Sequence, residues 1–130
     1  MIVVDSSLVF HLFTQPAERV RRRLEADGEL IAPALLDVEV ASMAHRFVME
    51  AMLTDEEGET VLARLGRLPV TRYDHLALLA RIWDLRDRMT VYDAAYVALA
   101  EHFGVTLVTI DQRLATAQGP RCPVELIWPT

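Results

Sequence analysis

Five short apolar runs constrain this chain more than any other feature. They are IVV at 2–4, LIA at 30–32, LPVT at 68–71, VTLVTI at 105–110 and VELI at 124–127. They are continuous rather than alternating, as strands are when both faces of a sheet are covered. The segments between them carry helical signatures. Ser6 or Ser7 is placed to cap a helix through about Phe13. Pro16 suits the first turn of the next helix and Gly28 its end. Residues 34–52 are helix formers with apolar side chains at helical spacing, and Thr54 with Glu57 spells a capping box for a helix ending near Gly66. Asp74 is placed to cap the helix that carries LALLARIWDLRD. Thr90 with Asp93 resembles a second capping box, in a helix closed by Gly104, and Asp111 caps a short helix through about Gln118. The order β-α-α-β-α-α-β-α-α-β-α-β predicts an α/β fold: a single α/β/α domain over residues 1–130, with a mainly parallel central sheet flanked by helices.

Bulk properties narrow the function. At 130 residues and 52% hydrophobic, the chain has enough apolar material for one real core. The net charge is −6 and all thirteen basic side chains are Arg, which argues against a nonspecific nucleic-acid coat. It leaves open an enzyme that meets a polyanion through metal ions. Cys122 is the only cysteine, so neither an internal disulfide nor a paired-cysteine zinc site is available. The start, MIVVD, lacks a basic leader followed by a long apolar stretch. No apolar run approaches the roughly 18 residues that cross a bilayer. A soluble, cytoplasmic protein with no membrane partner is expected.

Four carboxylates stand where a parallel α/β sheet places its ligands, beyond the carboxyl ends of the strands. Asp5 directly follows the first run and Asp111 the fourth. Glu39 lies early in the helix after LIA and Pro33, with Leu35, Leu36, Ser42 and Met43 as helical neighbours. Asp93 lies in the first turn of the helix before VTLVTI. Asp5 as an Asx-turn, Asp111 as an N-cap and Asp93 as a capping-box acid each have a local structural explanation; Glu39 has none. Four clustered carboxylates cannot all ionise uncompensated. Oxygen-only ligands suit Mg2+ or Mn2+, ions that polarise phosphate oxygens and acidify bound water. The set points to phosphodiester chemistry.

The segments VVDSS (3–7), PALLDVEV (33–40), YDAAYVALA (92–100) and LVTIDQRL (107–114) keep an order in which the chain resembles the PIN-domain nucleases, and among them the VapC-type toxins of bacterial toxin–antitoxin pairs. The resemblance implies a PIN-like fold and a magnesium- or manganese-dependent ribonuclease, with Asp5, Glu39, Asp93 and Asp111 as its catalytic and metal-holding residues. It also implies a homodimer silenced by a small cognate antitoxin of VapB type. On this reading Asp5 and Asp93 hold the primary ion, with Glu39 and Asp111 acting directly or through water. Ser6 and Thr109 orient carboxylates, and Arg113 touches the RNA substrate or pairs with a site acid.

Other readings stay open. A phosphatase of the haloacid-dehalogenase type also places an Asp after its first strand, but needs a second Asp where this chain has Ser7, and a Lys, which it lacks. A PIN nuclease of RNA processing without an antitoxin and a non-catalytic PIN-fold binding module also remain. RVRRR at 19–23 either guides RNA phosphates or, the preferred reading, is a solvated helix face paired as Glu18–Arg22 and Arg21–Glu25. The four histidines are dispersed. The stripe Met43, Phe47, Met49 and Met52 reads mostly as core, any exposed part being fit to seat a partner helix.

Overall fold

In the computed structural model, which describes residues 1–128, the five apolar runs form one five-stranded sheet with every pair parallel. The strands are β1 (Ile2–Val4), β2 (Leu30–Pro33), β3 (Val70–Tyr73), β4 (Thr106–Thr109) and β5 (Val124–Leu126). Their spatial order is β3-β2-β1-β4-β5. The chain builds outward from β1 to one side, then crosses back to lay β4 against β1 on the other. That reversal makes the gap between β1 and β4 the switch point, where open α/β sheets form their crevice.

The helices are α1 (Ser6–Thr14), α2 (Glu18–Glu25), α3 (Leu36–Met49), α4 (Asp55–Arg67), α5 (Leu79–Asp84), α6 (Val91–Phe103) and α7 (Gln112–Thr116), with one 3-10 turn at Leu76–Leu78. α6 lies over β1, β2 and β4 and is braced by α5; α1 packs with α3 and α4. All seven residues from Ala94 to Ala100 are buried. Four of them are alanine, so the helix approaches the sheet closely, as a helix enclosed on all sides must. This is the α/β/α arrangement expected from the order of the runs.

Several boundaries shift for physical reasons. The helix expected to stop near Gly66 continues to Arg67, because Pro69 holds Leu68 in an extended conformation (ψ 125°) and thereby ends it. The third strand consequently begins at Val70 rather than at Leu68. The capping box at Thr54 and Glu57 forms in both directions. At the head of α6 only half a box forms: the Thr90 hydroxyl accepts the Asp93 N–H at 3.1 Å. Gly104 closes α6 in the left-handed region (φ 65°).

α3 ends at Met49, short of the expected residue 52, in a Schellman turn. The Ala51 N–H donates to the Val48 carbonyl and the Met52 N–H to that of Phe47. Ala51 therefore occupies a left-handed position (φ 58°) that ordinarily belongs to glycine. Ala51→Gly is expected to raise stability by roughly 1 kcal/mol, the relief of backbone strain less the extra entropy glycine loses on folding. A urea midpoint that falls in this variant would contradict it.

Candidate functional site

β1 runs directly into Asp5, which is itself the N-cap of α1. This corrects the expected cap at Ser6 or Ser7. Both serines are already helical, and the extended Asp5 backbone lets its carboxylate reach the Leu8 N–H, three residues on, at 3.0 Å. The same oxygen accepts the Ser7 hydroxyl at 2.9 Å, and the second oxygen accepts the Thr109 hydroxyl at 2.5 Å. Thr109, the last residue of β4, also accepts the Asp111 N–H at 2.9 Å. One buried hydroxyl thus ties together the ends of the two strands that flank the switch point.

Glu39 projects from the first turn of α3. Its Oε1 accepts the Tyr96 phenol at 2.6 Å. Asp37, two residues earlier, is bound by the Arg72 guanidinium at 2.8 Å. Among the described residues no cation pairs with Glu39, Asp5 or Asp93. Asp111 caps α7 by accepting the Arg113 N–H, and its second oxygen meets the exposed Arg113 guanidinium at 3.2 Å.

The electrostatics mark three of these acids as undercompensated. Burial pushes the Asp5 carboxyl up to about 6, against its donors Thr109, Leu8 and Ser7, with the charge of Asp93 adding to the rise. Glu39 is raised by burial first, despite the donors Tyr96 and Ser6, and again by Asp93. Asp93 is raised by burial and then by the charge of Asp111, while the Thr90 hydroxyl and Arg113 oppose the rise. Asp93 therefore couples to each of the other three. At one edge of the sheet the structure brings Asp5, Glu39 and Asp111 each within electrostatic range of Asp93. Among the described residues, however, no three acidic, histidine or cysteine side chains are close enough to hold a single ion between them.

Two site residues escaped the sequence reading. Ser7, not Ser6, donates to Asp5; the Ser6 hydroxyl acts on Glu39 and on Tyr96. The second is Tyr96, whose ring is buried in α6 and whose phenol ends at Glu39. Its signal in the sequence is faint: one polar-tipped aromatic among small residues, three positions after Asp93 and so on the same helix face. The basic run at 19–23 does not reach the acids as a free patch. Arg21 and Arg22 pair with Glu18, Arg23 binds Glu125 at 2.7 Å, and Arg19 donates to the Trp128 carbonyl. In the Met stripe, Met43 and Phe47 pack against the core, whereas Met49 and Met52 are exposed.

The model of the PIN domain family matches residues 2–120. Ribonuclease VapC12 of Mycobacterium tuberculosis is 42% identical over 130 residues, covering 98% of this chain and 99% of that protein. Ribonuclease VapC9 of the same organism is 38% identical over 127 residues, covering 98% of each. Two solved structures share the fold. VapC20 of M. tuberculosis, described as a toxin that cleaves the sarcin-ricin loop, superposes with a TM-score of 0.68 at 15% identity, over 88% of this chain and 92% of that one. The VapBC2 structure from Rickettsia felis, bound to a fragment of promoter DNA, gives 0.72 at 14% identity, over 98% and 100%. The sequence matches run almost the whole length of the chain: it belongs to the PIN-domain family and, within it, to the VapC ribonucleases.

Proposed function

We propose that this protein is the endoribonuclease toxin of a toxin–antitoxin pair. It hydrolyses RNA phosphodiesters with a divalent cation, Mg2+ or Mn2+, and acts in the cytoplasm as a homodimer restrained by a small cognate antitoxin of VapB type. The observation that carries the reading is the trio of Asp5, Glu39 and Asp93: burial raises all three, the charge of Asp93 raises the other two, and among the described residues no side-chain cation pairs with them. The family supplies the reaction class. The promoter-bound VapBC2 neighbour supports the antitoxin partner.

The donor set fits a hard cation. It is all carboxylate oxygen, negative and undercompensated. Such a set suits an ion that keeps several waters and is held by one or two carboxylates, as Mg2+ is. Asp5 and Asp93 would hold it, with Glu39 and Asp111 acting directly or through its waters. Such an ion supplies charge stabilisation at the phosphate and a more acidic water. The protein's own part is orientation. Ser7, Leu8 and Thr109 fix both Asp5 oxygens. The Arg113 guanidinium, largely exposed beside Asp111, is free to turn toward an RNA phosphate.

The test is cleavage of total cellular RNA by the purified protein with Mg2+, with Mn2+ and with chelator, beside Asp93→Asn. The expected result is cation-dependent cleavage that falls more than about a hundredfold in the variant, since altering even an outer-shell partner of a metal costs about 10–100-fold. Equal cleavage by both proteins, or cleavage that persists in chelator, would refute the proposal.

A further inference from the structure

The core side of the acidic edge contains one polar contact that packing does not require. Tyr96 is 1% exposed, and its ring is enclosed with the alanines of α6. A phenylalanine would fill the same space. The hydroxyl adds nothing to the apolar core, yet it reaches 2.6 Å from Glu39 Oε1 and crosses from α6 to α3 to do so. α6 carries Asp93 in its first turn and Tyr96 one turn on; α3 carries Glu39. The hydrogen bond is a direct link between the helix of Asp93 and the carboxylate of Glu39.

A carboxylate on a helix has several rotatable bonds, and a bond to a rigid buried donor removes that freedom before any ligand arrives. It also consumes one acceptor position on Oε1 and leaves the rest of the carboxylate's lone pairs available. Ser6 stands beside the same pair, at the head of α1, one residue after Asp5. Asp5 is locked by Ser7, Leu8 and Thr109. Tyr96, on α6, gives Glu39 the corresponding restraint.

We propose that Tyr96 is a positioning residue, whose buried phenol presets the Glu39 carboxylate for the divalent cation and its waters. The inference rests on the metal-dependent reading above and deepens it. The experiment is Mn2+ titration by calorimetry of the full chain and of Tyr96→Phe, Glu39→Gln and the double variant, with thermal unfolding of each in chelator. RNA cleavage against Mn2+ concentration is measured in parallel.

Tyr96→Phe is expected to weaken Mn2+ binding by about tenfold, the size typical of a lost outer-shell partner. The Mn2+ concentration for half-maximal cleavage should rise to match, while kcat at saturating Mn2+ changes little. In the Glu39→Gln background the same substitution should leave Mn2+ affinity unchanged, because the carboxylate it serves is gone. Equal Mn2+ affinity in Tyr96→Phe and the unaltered chain would overturn the proposal. So would a loss that persists undiminished beside Glu39→Gln, which would assign Tyr96 to packing alone. If the unaltered chain binds no Mn2+, the metal-dependent reading itself fails and takes this inference with it.

Discussion

Asp5→Asn is expected to abolish RNA cleavage and, in the same protein, to raise stability at pH 8 in chelator. The first effect follows from removing a carboxylate charge at the centre of the proposed cation site; it should exceed the 10–100-fold typical of an outer-shell change. The second follows from burial. The Asp5 carboxyl is pushed up from 3.8 to about 6 because its charged form is desolvated. A raised carboxyl favours the folded state fully below its unfolded pKa, and that advantage is lost as pH rises through the folded value. Without a cation the native protein therefore loses stability between about pH 4 and 7, by roughly 3 kcal/mol from this group alone, at 1.36 kcal/mol per pH unit. Glu39 and Asp93 are raised as well and act in the same direction. Asparagine carries no charge to desolvate, so the variant should exceed the unaltered chain by about 2–3 kcal/mol at pH 8 and match it near pH 3.5. Urea unfolding at several pH values, with and without Mg2+, measures this. Parallel pH profiles for the two proteins would show that Asp5 bears no such burden. Mg2+ at about a hundred times its Kd should close most of that gap at pH 8, since it adds about 2.7 kcal/mol to the form that binds it.

A second large effect lies away from the chemistry. Arg81→Met is expected to destabilise the fold by about 2–3 kcal/mol, because it strips the cation from a part-buried, charge-assisted bidentate pair. Arg81 on α5 grips both oxygens of Glu101 on α6, at 2.7 and 3.0 Å, and both side chains are mostly buried. The same guanidinium donates to the Gly119 carbonyl at 2.9 Å, and Glu101 accepts the Arg121 N–H at 2.7 Å. The pair thus fastens the segment leading into β5 onto the helix that carries Asp93 and Tyr96. Arg81→Met combined with Glu101→Leu should recover most of the loss, because apolar replacements of a whole buried pair are often near neutral. The double-mutant cycle isolates the coupling. A single-variant loss under about 1 kcal/mol would place the pair with ordinary surface bridges. RNA cleavage per folded molecule should change little, which separates this role from those of the acids.

The sequence by itself determined the class of fold and the candidates for chemistry. Continuous apolar runs are dictated by a sheet covered on both faces, and period and caps are local properties, so the order of strands and helices is written in neighbouring residues. Asp5 and Asp111 stood out because each directly follows an apolar run, and a parallel sheet sends every strand's carboxyl end to the same edge. The family resemblance rested on those same segments. The tertiary structure alone decided the rest. That β1 lies between β2 and β4, so that Asp5 meets Thr109, depends on pairing between residues about a hundred positions apart, for which no local signal exists. That Asp5 rather than a serine caps α1 depends on how the chain leaves β1. Tyr96 looked like core because its ring is core, and only the approach of α3 to α6 gives its hydroxyl a carboxylate. No local signal marks Arg81 and Glu101 as partners, and they pair only once the helices carrying them pack. Propensity and periodicity act over a few residues; hydrogen bonds between buried polar groups exist only once the core has brought their elements together.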